Sequence, residues 1–520
     1  MPFQTNLLYL QGMNRYSLFF VLEILLNSLA GYSQNRNNIW CFGDSSGIDF
    51  GTIPNPVTFR SSVVSRGSCV SVADTTGNLI FYAFTSTFSS DSSTIVMNST
   101  NQTLQNSQSI IGSSLYNELV IVPNPNMVDS YYLFCGSVTD PIPKGFFYSK
   151  IDMTQNGGLG AVVQKNVRLN SFRNGDCVTA IKHGNGKDWW VFSKYSNING
   201  TTFNRFYTYL ITQDSVHTPL VQNFNNATDG DFQRIIFNSD GTKFMQINAL
   251  GLIQEFNFDR CTGIISNPTI IFPELPVGIH GKNFWTGAYS ADDSKFYAAT
   301  QIFSVSINPT SRLFQFDLTA PNIAASIDTL WEIQYPAQCG TLRLAPDNKI
   351  YFSTFYDFGF PGYPYPDTAY NQYNSNLSVI NFPDSAGSAC GFVPHGFSLG
   401  GYRAYYGLPN NPKYDLGPLV GSGCDTITSN SEAHYDSATN LFVFNDSEWD
   451  IAFVNAKNLK GKTGILICYD IQGREIFKEP LQTTNGYYTK DLATHSFSKG
   501  MYMVQLITDK EKLSKKFVVD

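Results

Sequence analysis

The chain has 520 residues, a net charge of -7, and 15% aromatic against 14% charged residues. This composition excludes an intrinsically disordered chain and favours β-structure, and the length exceeds that of one ordinary domain. Only 34 residues are Lys or Arg, and no basic run occurs before the last residues, so the sequence argues against a nucleic-acid partner.

The N-terminus predicts export. Residues 13–15 (MNR) carry a positive charge, and Met13 is an alternative start. Residues 16–26 are apolar apart from one glutamate. Small residues follow, so we expect a signal peptide over residues 1–33 that is cleaved after Ala30 or Ser33. A buried helix is the alternative. No later segment reaches about 18 apolar residues, so we expect no transmembrane span in the mature chain.

A polar turn followed by an aromatic-rich apolar run occurs six times along the chain, as in LAPDNKIYFST (residues 344–354) and FNSDGTKFMQI (residues 237–247). The intervals between successive apolar runs are 51, 58, 55, 52 and 54 residues. The runs begin at Ile80, Tyr131, Trp189, Phe244, Phe296 and Ile350. A regular interval of this length indicates a repeat architecture.

Each copy of the repeat has a strand-like segment before the turn and an alternating segment after the apolar run, such as IQEFNFD (residues 253–259). A four-stranded antiparallel unit of about 50 residues is a propeller blade. We therefore predict an all-β fold, with a β-propeller over residues 34–415. Six blades are visible, and residues 39–50 and 397–408 combine into a seventh that closes the ring. A pair of β-sandwiches or a β-helix is the alternative.

The nine cysteines do not suggest a complete disulfide framework. Three of them hold equivalent positions in different repeats, and we expect these to be buried as small apolar side chains. They are Cys69, Cys177 and Cys339. Four others include candidates for a disulfide that the sequence does not assign. They are Cys135, Cys261, Cys390 and Cys424.

No catalytic or metal-binding pattern is recognisable. The six histidines lack metal-ligand spacing, and no nucleophile elbow or phosphate-binding loop occurs. Asp292 and Asp293 form the most prominent carboxylate pair, but they lie on the repeated turn, where Asp accepts hydrogen bonds from the backbone. We give the same structural role to Asp74, Asp240 and Asp347. We expect no catalytic residues, no metal and no cofactor.

Residues 355–373 (FYDFGFPGYPYPDTAYNQY) form a long aromatic loop between two predicted strands. Exposed aromatic rings stack on sugars or anchor proteins, and long loops on a rigid ring are where propellers bind. The alternative is that this loop only packs over a blade edge. The predicted ligand-binding residues are Tyr356, Phe360, Tyr363, Tyr365 and Tyr370.

The repeat ends before residues 416–440, which are rich in Gly, Ser, Thr and Asp and are predicted as a linker. Residues 441–520 then contain roughly seven short alternating segments, the pattern of a small Ig-like β-sandwich. Gly473 provides the positive φ of a hairpin turn, and a second turn lies at residues 498–500.

Three segments of this C-terminal module stand out, which are YDIQGREIF (residues 469–477), SKGMYMVQL (residues 498–506) and KKFVV (residues 515–519). Through these segments the module resembles the type A sorting domain of the type IX secretion system of Bacteroidota. A Tyr-Pro-Asn-Pro opening is usual in that family, and NDSEW (residues 445–449) stands here instead. The motif residues are Asp470, Gly473, Arg474, Gly500, Tyr502, Lys515 and Lys516.

The preceding region also resembles the long N-terminal part of secreted or surface proteins of that phylum, for example at NIWCFGDSSGIDF (residues 38–50) and YYGLPN (residues 405–410). These resemblances imply passage through the periplasm and outer membrane to the cell surface or medium, with the type IX machinery as partner. We expect the propeller to bind a glycan or a protein. The alternatives are a secreted propeller-type glycan hydrolase or lyase, and a non-binding structural surface protein.

Overall fold

The protein folds into seven small antiparallel sheets followed by a two-sheet β-domain. The computed structural model describes residues 35–86, 93–113, 115–125, 127–138, 144–196, 204–224, 227, 230, 232–274, 283–302, 310–356, 369–425, 440–446, 450–457, 459–483 and 488–519. The predicted signal peptide lies outside the described residues.

Six of the first seven sheets have four strands and the first has three, numbered here in chain order. Sheet 1 contains β1 (Ile39–Phe42), β2 (Asp44–Asp49) and β3 (Val57–Val64). Sheet 2 contains β4 (Cys69–Ala73), β5 (Leu79–Thr85), β6 (Ser93–Asn98) and β7 (Ile110–Ile111). Sheet 3 contains β8 (Leu119–Pro123), β9 (Ser130–Gly136), β10 (Phe146–Asp152) and β11 (Ala161–Asn170). Sheet 4 contains β12 (Thr179–Lys182), β13 (Trp189–Lys194), β14 (Asn204–Ile211) and β15 (Leu220–Phe224).

The remaining three sheets of the ring repeat this arrangement. Sheet 5 contains β16 (Gln233–Phe237), β17 (Lys243–Asn248), β18 (Ile253–Phe258) and β19 (Ile265–Phe272). Sheet 6 contains β20 (Phe284–Tyr289), β21 (Lys295–Thr300), β22 (Thr310–Asp317) and β23 (Asp328–Gln334). Sheet 7 contains β24 (Ala337–Leu344), β25 (Ile350–Tyr356), β26 (Asn376–Ile380) and β27 (Phe392–Ser398). Among the described residues, the helical turns are α1 (Gln372–Ser375) and three 3-10 turns at Asn156–Gly158, Ala324–Ser326 and Gly387–Cys390.

Strands pair in chain order within each of these seven sheets. First strands of neighbouring sheets contact one another, with β4 between β1 and β8, β8 next to β12, and β20 between β16 and β24. This arrangement confirms the predicted propeller, with the first strand of each sheet on the inside of the ring. The six predicted apolar runs are the second strands of sheets 2 to 7. We call the face on which the first strands begin the upper face, and the face on which they end the lower face.

Sheet 1 closes the ring between sheets 2 and 7. The rings of Trp40 and Phe50 pack edge-on against Tyr351 of β25, with centroids 6.0 and 5.5 Å apart. The three strands of sheet 1 all come from the N-terminal segment. The prediction that residues 397–408 add to this blade is therefore wrong. Residues up to Ser398 end the outer strand of sheet 7, and Arg403 makes only isolated bridges to Asp44 and its neighbour in sheet 1.

Aromatic side chains fill the spaces between sheets. Between sheets 4 and 5, the ring of Phe192 lies 5.2 Å from Phe237 and 5.1 Å from Phe258, measured between centroids. Each such edge-to-face pair stabilises the fold by about 0.5–1.5 kcal/mol beyond its buried area. The high aromatic content of the sequence therefore goes largely into joining one blade to the next.

The C-terminal domain is built from a three-stranded and a four-stranded sheet, in agreement with the predicted number of strands. The smaller sheet contains β28 (Asn440–Asp446), β29 (Ile451–Lys457) and β32 (Tyr488–Ala493). The larger contains β30 (Thr463–Asp470), β31 (Glu475–Gln482), β33 (Gly500–Thr508) and β34 (Lys512–Val519). Leu466, Val504 and Leu506 belong to the buried core of this domain. Across the described ranges, no helix has the length and apolar character needed to cross a membrane.

Candidate functional site

The central channel of the ring is occupied by the protein's own chain. We call residues 403–419 the axial segment. Gly407 N donates to the carbonyl of Arg66 at 3.1 Å, and Asn410 N donates to the carbonyl of Cys69 at 2.8 Å. The segment thus follows the direction of β4, from the upper to the lower face. It passes along the axis on which a propeller otherwise keeps an open channel.

Side chains of the axial segment fasten it to several blades at once. Asn410 Nδ2 donates to the carbonyls of Leu119 at 2.9 Å and Val178 at 2.7 Å, which belong to sheet 3 and to the start of sheet 4. Asn411 Oδ1 accepts from Ser71 N of sheet 2 at 2.8 Å. Because these polar groups are buried, each bond also satisfies a backbone group that would otherwise be costly to bury.

At the lower face, residues that the composition assigns to the linker are held against the ring. The guanidinium of Arg260 donates to the carbonyl of Gly417 at 2.6 Å, and Leu419 N donates to the carbonyl of Gly184 at 2.8 Å. Cys424 then forms a disulfide with Cys261, across 163 residues of sequence. The other seven cysteines are free and buried, which confirms the predicted burial of the three equivalent ones.

A group of charged and polar side chains is buried at the upper end of the channel. We call Tyr116, Asn117, Glu118, Asp176 and Arg234 the buried polar cluster. Asp176 and Glu118 have no exposed surface. Arg234 Nη1 donates to Asp176 Oδ2 at 2.6 Å, so this carboxylate has a matched counter-charge. With its amide turned to face the guanidinium, Asn117 accepts from Arg234 through its side-chain oxygen.

Glu118 is different, because no ion pair joins its carboxyl group to a cation among the residues that the structure describes. Burial raises the pKa of Glu118 well above its usual 4.5, and the negative charge of Asp176 raises it further. The carboxyl group therefore retains its proton at pH values where an exposed glutamate is ionised. Tyr406 of the axial segment lies beside the cluster, with its ring centroid 3.9 Å from that of Tyr116.

Aromatic side chains also line the outer part of sheet 7. We call Trp331, Tyr356, Tyr373, Phe392 and His395 the aromatic strip. Tyr356 stacks on Tyr373 with centroids 5.9 Å apart, and His395 lies 5.0 Å from Tyr373 and 5.7 Å from Trp331. All five side chains are partly exposed. The strip runs from the upper end of β25 across the outer strands of sheets 6 and 7.

Two of the predicted ligand-binding residues can be placed. Tyr356 ends β25 in the aromatic strip, and Tyr370 is 55% exposed, with the guanidinium of Arg403 4.8 Å from its ring centroid. Both therefore lie on the upper face. Phe360, Tyr363 and Tyr365 lie outside the described residues.

The repeated turns have the structural role predicted for them. Asp74 accepts from the backbone of Thr76 at 2.8 Å and of Asn78 at 2.9 Å. Burial alone would raise the pKa of Asp74, but these bonds and those from both side chains lower it to about 2. Asp292 and Asp293 bond in different directions, to Ser294 N of their own turn and to Ser239 N of the neighbouring sheet.

The described histidines take part in local contacts. His183 Nδ1 accepts from Asn185 N at 3.0 Å, and its Nε2 lies 2.8 Å from the carbonyl of Cys261. His217 bonds to the hydroxyls of Thr212 and Ser215. No three of the His, Cys, Asp and Glu side chains in the described ranges come together in a way that could hold a metal ion.

The C-terminal motif residues lie on the larger sheet of the last domain. The Asp470 carboxylate accepts from Gln472 N at 3.0 Å and from Arg474 Nε at 2.6 Å, which closes the turn between β30 and β31. Gly473, with φ of +81°, supplies the left-handed residue of this turn.

The second half of the motif lies on β33 and β34. Tyr502 donates its hydroxyl to the carbonyl of Ser498 at 2.7 Å and stacks on Phe517. Gly500 begins β33 opposite Val519 in the register. Lys515 and Lys516 project from β34 as exposed side chains. Their positive charges are therefore accessible to solvent and to a binding partner at the surface of the domain.

The axial segment and the buried polar cluster were not foreseen from the sequence. Asn410 bonds to Leu119, 291 residues away, and the cluster joins residues 116–118 to Asp176 and Arg234, so no local spacing connects these groups. One sequence feature hints at the axial segment, which is YYGLPNNPKY (residues 405–414). It mixes aromatic and polar residues without the spacing of a helix or a strand.

The fold and these surfaces define a class, that of a propeller with an internally filled channel and a small C-terminal β-domain. Comparison with known proteins identifies the C-terminal domain more closely. Residues 450–520 match the family model described as a secretion system C-terminal sorting domain. This match supports export directed by the type IX secretion system to the cell surface or the extracellular space. No curated protein sequence matches the chain.

Solved structures similar to this chain include propellers at low sequence identity. The propeller of Dos1 is 10% identical with a TM-score of 0.37, covering 68% of this chain and 82% of that one. A propeller domain of Swd1 from Myceliophteria thermophila is 12% identical with a TM-score of 0.31, covering 61% and 84%. A quinonprotein alcohol dehydrogenase-like protein from Bacteroides thetaiotaomicron is 10% identical with a TM-score of 0.38, covering 72% and 79%.

Proposed function

We propose that this chain is an exported surface or secreted protein of a Bacteroidota bacterium, whose propeller binds a glycan or a protein through aromatic side chains on its upper face. The observation that carries this proposal is the stacked, partly exposed pair of Tyr356 and Tyr373 at the upper end of sheet 7, with the exposed Tyr370 on the same face. Aromatic rings that keep a free face stack on sugar rings and anchor protein partners.

The filled channel supports a rim site over an axial one. Propellers with an open axis can bind ligands there, but here residues of the axial segment bond to sheets 2, 3 and 4 within the ring. The outer rim and upper loops are then the surfaces left for a large ligand. Loops on a rigid scaffold are common binding surfaces, because the scaffold fixes their ends.

The experiment is a glycan array and a surface-protein panel probed with the full mature chain, comparing the parent with Tyr370→Ala. The matched control is Phe382→Ala, because Phe382 is also exposed (64%) but lies in a turn on the lower face. We expect the Tyr370 variant to lose about tenfold or more in affinity and the Phe382 variant to bind like the parent. Equal loss in both variants, or no ligand in either panel, would refute the rim site.

Sorting by the C-terminal domain has a separate test. Deleting residues 441–520 removes the domain but leaves Cys424 and the axial segment in place. We expect this truncated chain to accumulate in the periplasm with its Cys261–Cys424 disulfide formed, since that disulfide reports exposure to an oxidising compartment. Normal delivery of the truncated chain to the surface or medium would contradict the proposed role.

A further inference from the structure

A cavity of about 110 Å³ lies inside the ring, between the axial segment and the first strands of sheets 4 to 7. Its walls are largely apolar and include Trp40, Ile181 and Tyr289. Four residues with polar side chains also line it, which are Asn37, Arg343, Asn411 and Lys413. Because a cavity of about 150 Å³ holds benzene, this one has room for a molecule of about four to six non-hydrogen atoms.

Arg343, on β24, faces this cavity with an unmatched charge. Its Nη2 donates to Asn410 Oδ1 at 2.7 Å, while its buried Nε donates to no acceptor in the described part of the chain. No ion pair joins Arg343 to a described carboxylate, whereas the neighbouring Arg234 is paired with Asp176 at 2.6 Å. Arg343 is only partly exposed, and a guanidinium held among apolar walls without a counter-charge favours an anion beside it.

Arg343 remains a cation at neutral pH. Burial lowers its pKa to about 10, and the charge of Arg234 also lowers it, but the value stays well above 7. Beyond Arg343 lies a second cavity of about 30 Å³, also lined by Arg234 and by Thr286 and Thr341, with room for about one water molecule. A single water molecule carries no charge, so it would not replace a counter-ion for Arg343.

Lys413 supplies a second cation to the cavity. Its Nζ donates to the carbonyl of Asn238 at 2.7 Å, and it makes no ion pair with a described carboxylate. Burial lowers the pKa of Lys413 to about 8, although the more distant Asp293 and Asp240 act in the opposite direction. Two cationic residues, Arg343 and Lys413, therefore line the cavity together with its apolar walls.

We propose that this cavity is a binding site for the carboxylate of a small organic acid of two to three carbons. The guanidinium of Arg343 can donate to a carboxylate through the Nη hydrogens that its bond to Asn410 leaves free, and Lys413 adds a point charge. The apolar walls fit a short hydrocarbon part, and the volume excludes an acidic sugar. This site is separate from the aromatic strip and does not depend on ligand binding there.

The test uses the full mature chain with acetate and, as a neutral molecule of the same shape, acetamide. Isothermal titration calorimetry in chloride-free buffer measures the affinity, and saturation-transfer NMR detects contact with the methyl group. We expect saturable binding of acetate and affinity for acetamide at least about tenfold lower, because only acetate carries the charge. Equal affinities, or acetate binding that does not saturate, would overturn the proposal.

Two variants locate the site. Arg343→Gln removes the charge and should weaken acetate binding by about tenfold or more. Arg312→Gln is the matched control, since Arg312 lies on the outer part of sheet 6 with its own partner Glu332 at 2.7 Å. If Arg343→Gln does not fold, as judged by its circular dichroism melt, Lys413→Gln takes its place with a smaller expected loss. Parent-like acetate affinity in the folded variant would place the binding elsewhere and refute the site.

Discussion

Glu118→Gln should make the protein more stable at neutral pH than the parent. The carboxyl group of Glu118 is fully buried, and burial followed by the charge of Asp176 raises its pKa well above 4.5. In the unfolded chain the same group ionises near its usual pKa. Above about pH 4.5 the unfolded chain has lost this proton, so Glu118 must take up a proton when the protein folds. This uptake becomes less favourable with each further pH unit. Glutamine has the same shape and takes up no proton.

The magnitude follows from linkage of one proton. Below pH 4.5 both states carry the proton and the two proteins differ by a constant amount. Above it, the unfolded state binds fewer protons than the folded state, so the parent loses about 1.4 kcal/mol per pH unit relative to the variant. Between pH 4.5 and pH 6.5 the gain of the variant over the parent grows to about 3 kcal/mol, as long as the folded-state pKa lies above this range.

The assay is urea unfolding followed by tryptophan fluorescence at pH 4.5, 5.5 and 6.5, for parent, Glu118→Gln and the control Glu332→Gln. Glu332 is exposed and paired with Arg312, so its variant should track the parent within about 0.5 kcal/mol. Parallel pH profiles for parent and Glu118→Gln would refute the reasoning. They would mean that Glu118 is ionised in the folded protein and that its charge is matched there.

Three further changes test other parts of the ring. Replacing Cys261 and Cys424 by serine opens a loop of 163 residues and should lower the stability by about 3–5 kcal/mol, measured as a lower unfolding temperature that reductant no longer changes. Gly407→Ala would place a Cβ 2.3 Å from the backbone of the adjacent loop and should destabilise by at least about 2 kcal/mol, whereas Gly417→Ala meets nothing within 4 Å and should be nearly neutral. Asp74→Ala should cost about 1 kcal/mol at pH 7 and nothing below about pH 2, because the lowered pKa stabilises the fold only above that range.

The strand repeat could be predicted because its signal is local. Each turn and its following strand lie within about a dozen residues, as in Asp347 and the strand from Ile350 to Tyr356. Asp347 Oδ2 accepts from the hydroxyl of Tyr351 at 2.9 Å, so the turn and the strand are connected by their own side chains. The sorting-domain turn at Gly473 was predictable for the same reason.

The contents of the channel could not be predicted, because they depend on contacts between distant parts of the chain. Asn410 meets Leu119, which is 291 residues away, and Glu118 meets Asp176 only after sheets 3 and 4 are side by side. Of the predicted ligand-binding residues, only Tyr356 and Tyr370 have described positions, and their binding role stays a prediction. The pairing of Cys261 with Cys424 was one of several that the sequence left open.

The path of the axial segment determines where this protein can be cut. The ring is synthesised before residues 403–419, yet their bonds to Ser71, Leu119 and Val178 mean that its interior is complete only once they are in place. A fragment ending at the last propeller strand would expose an unfilled polar channel, and one ending before Cys424 would leave the segment unclamped. Proteolytic release of the sorting domain is therefore harmless to the ring only when the cut falls between Asp425 and Asn440.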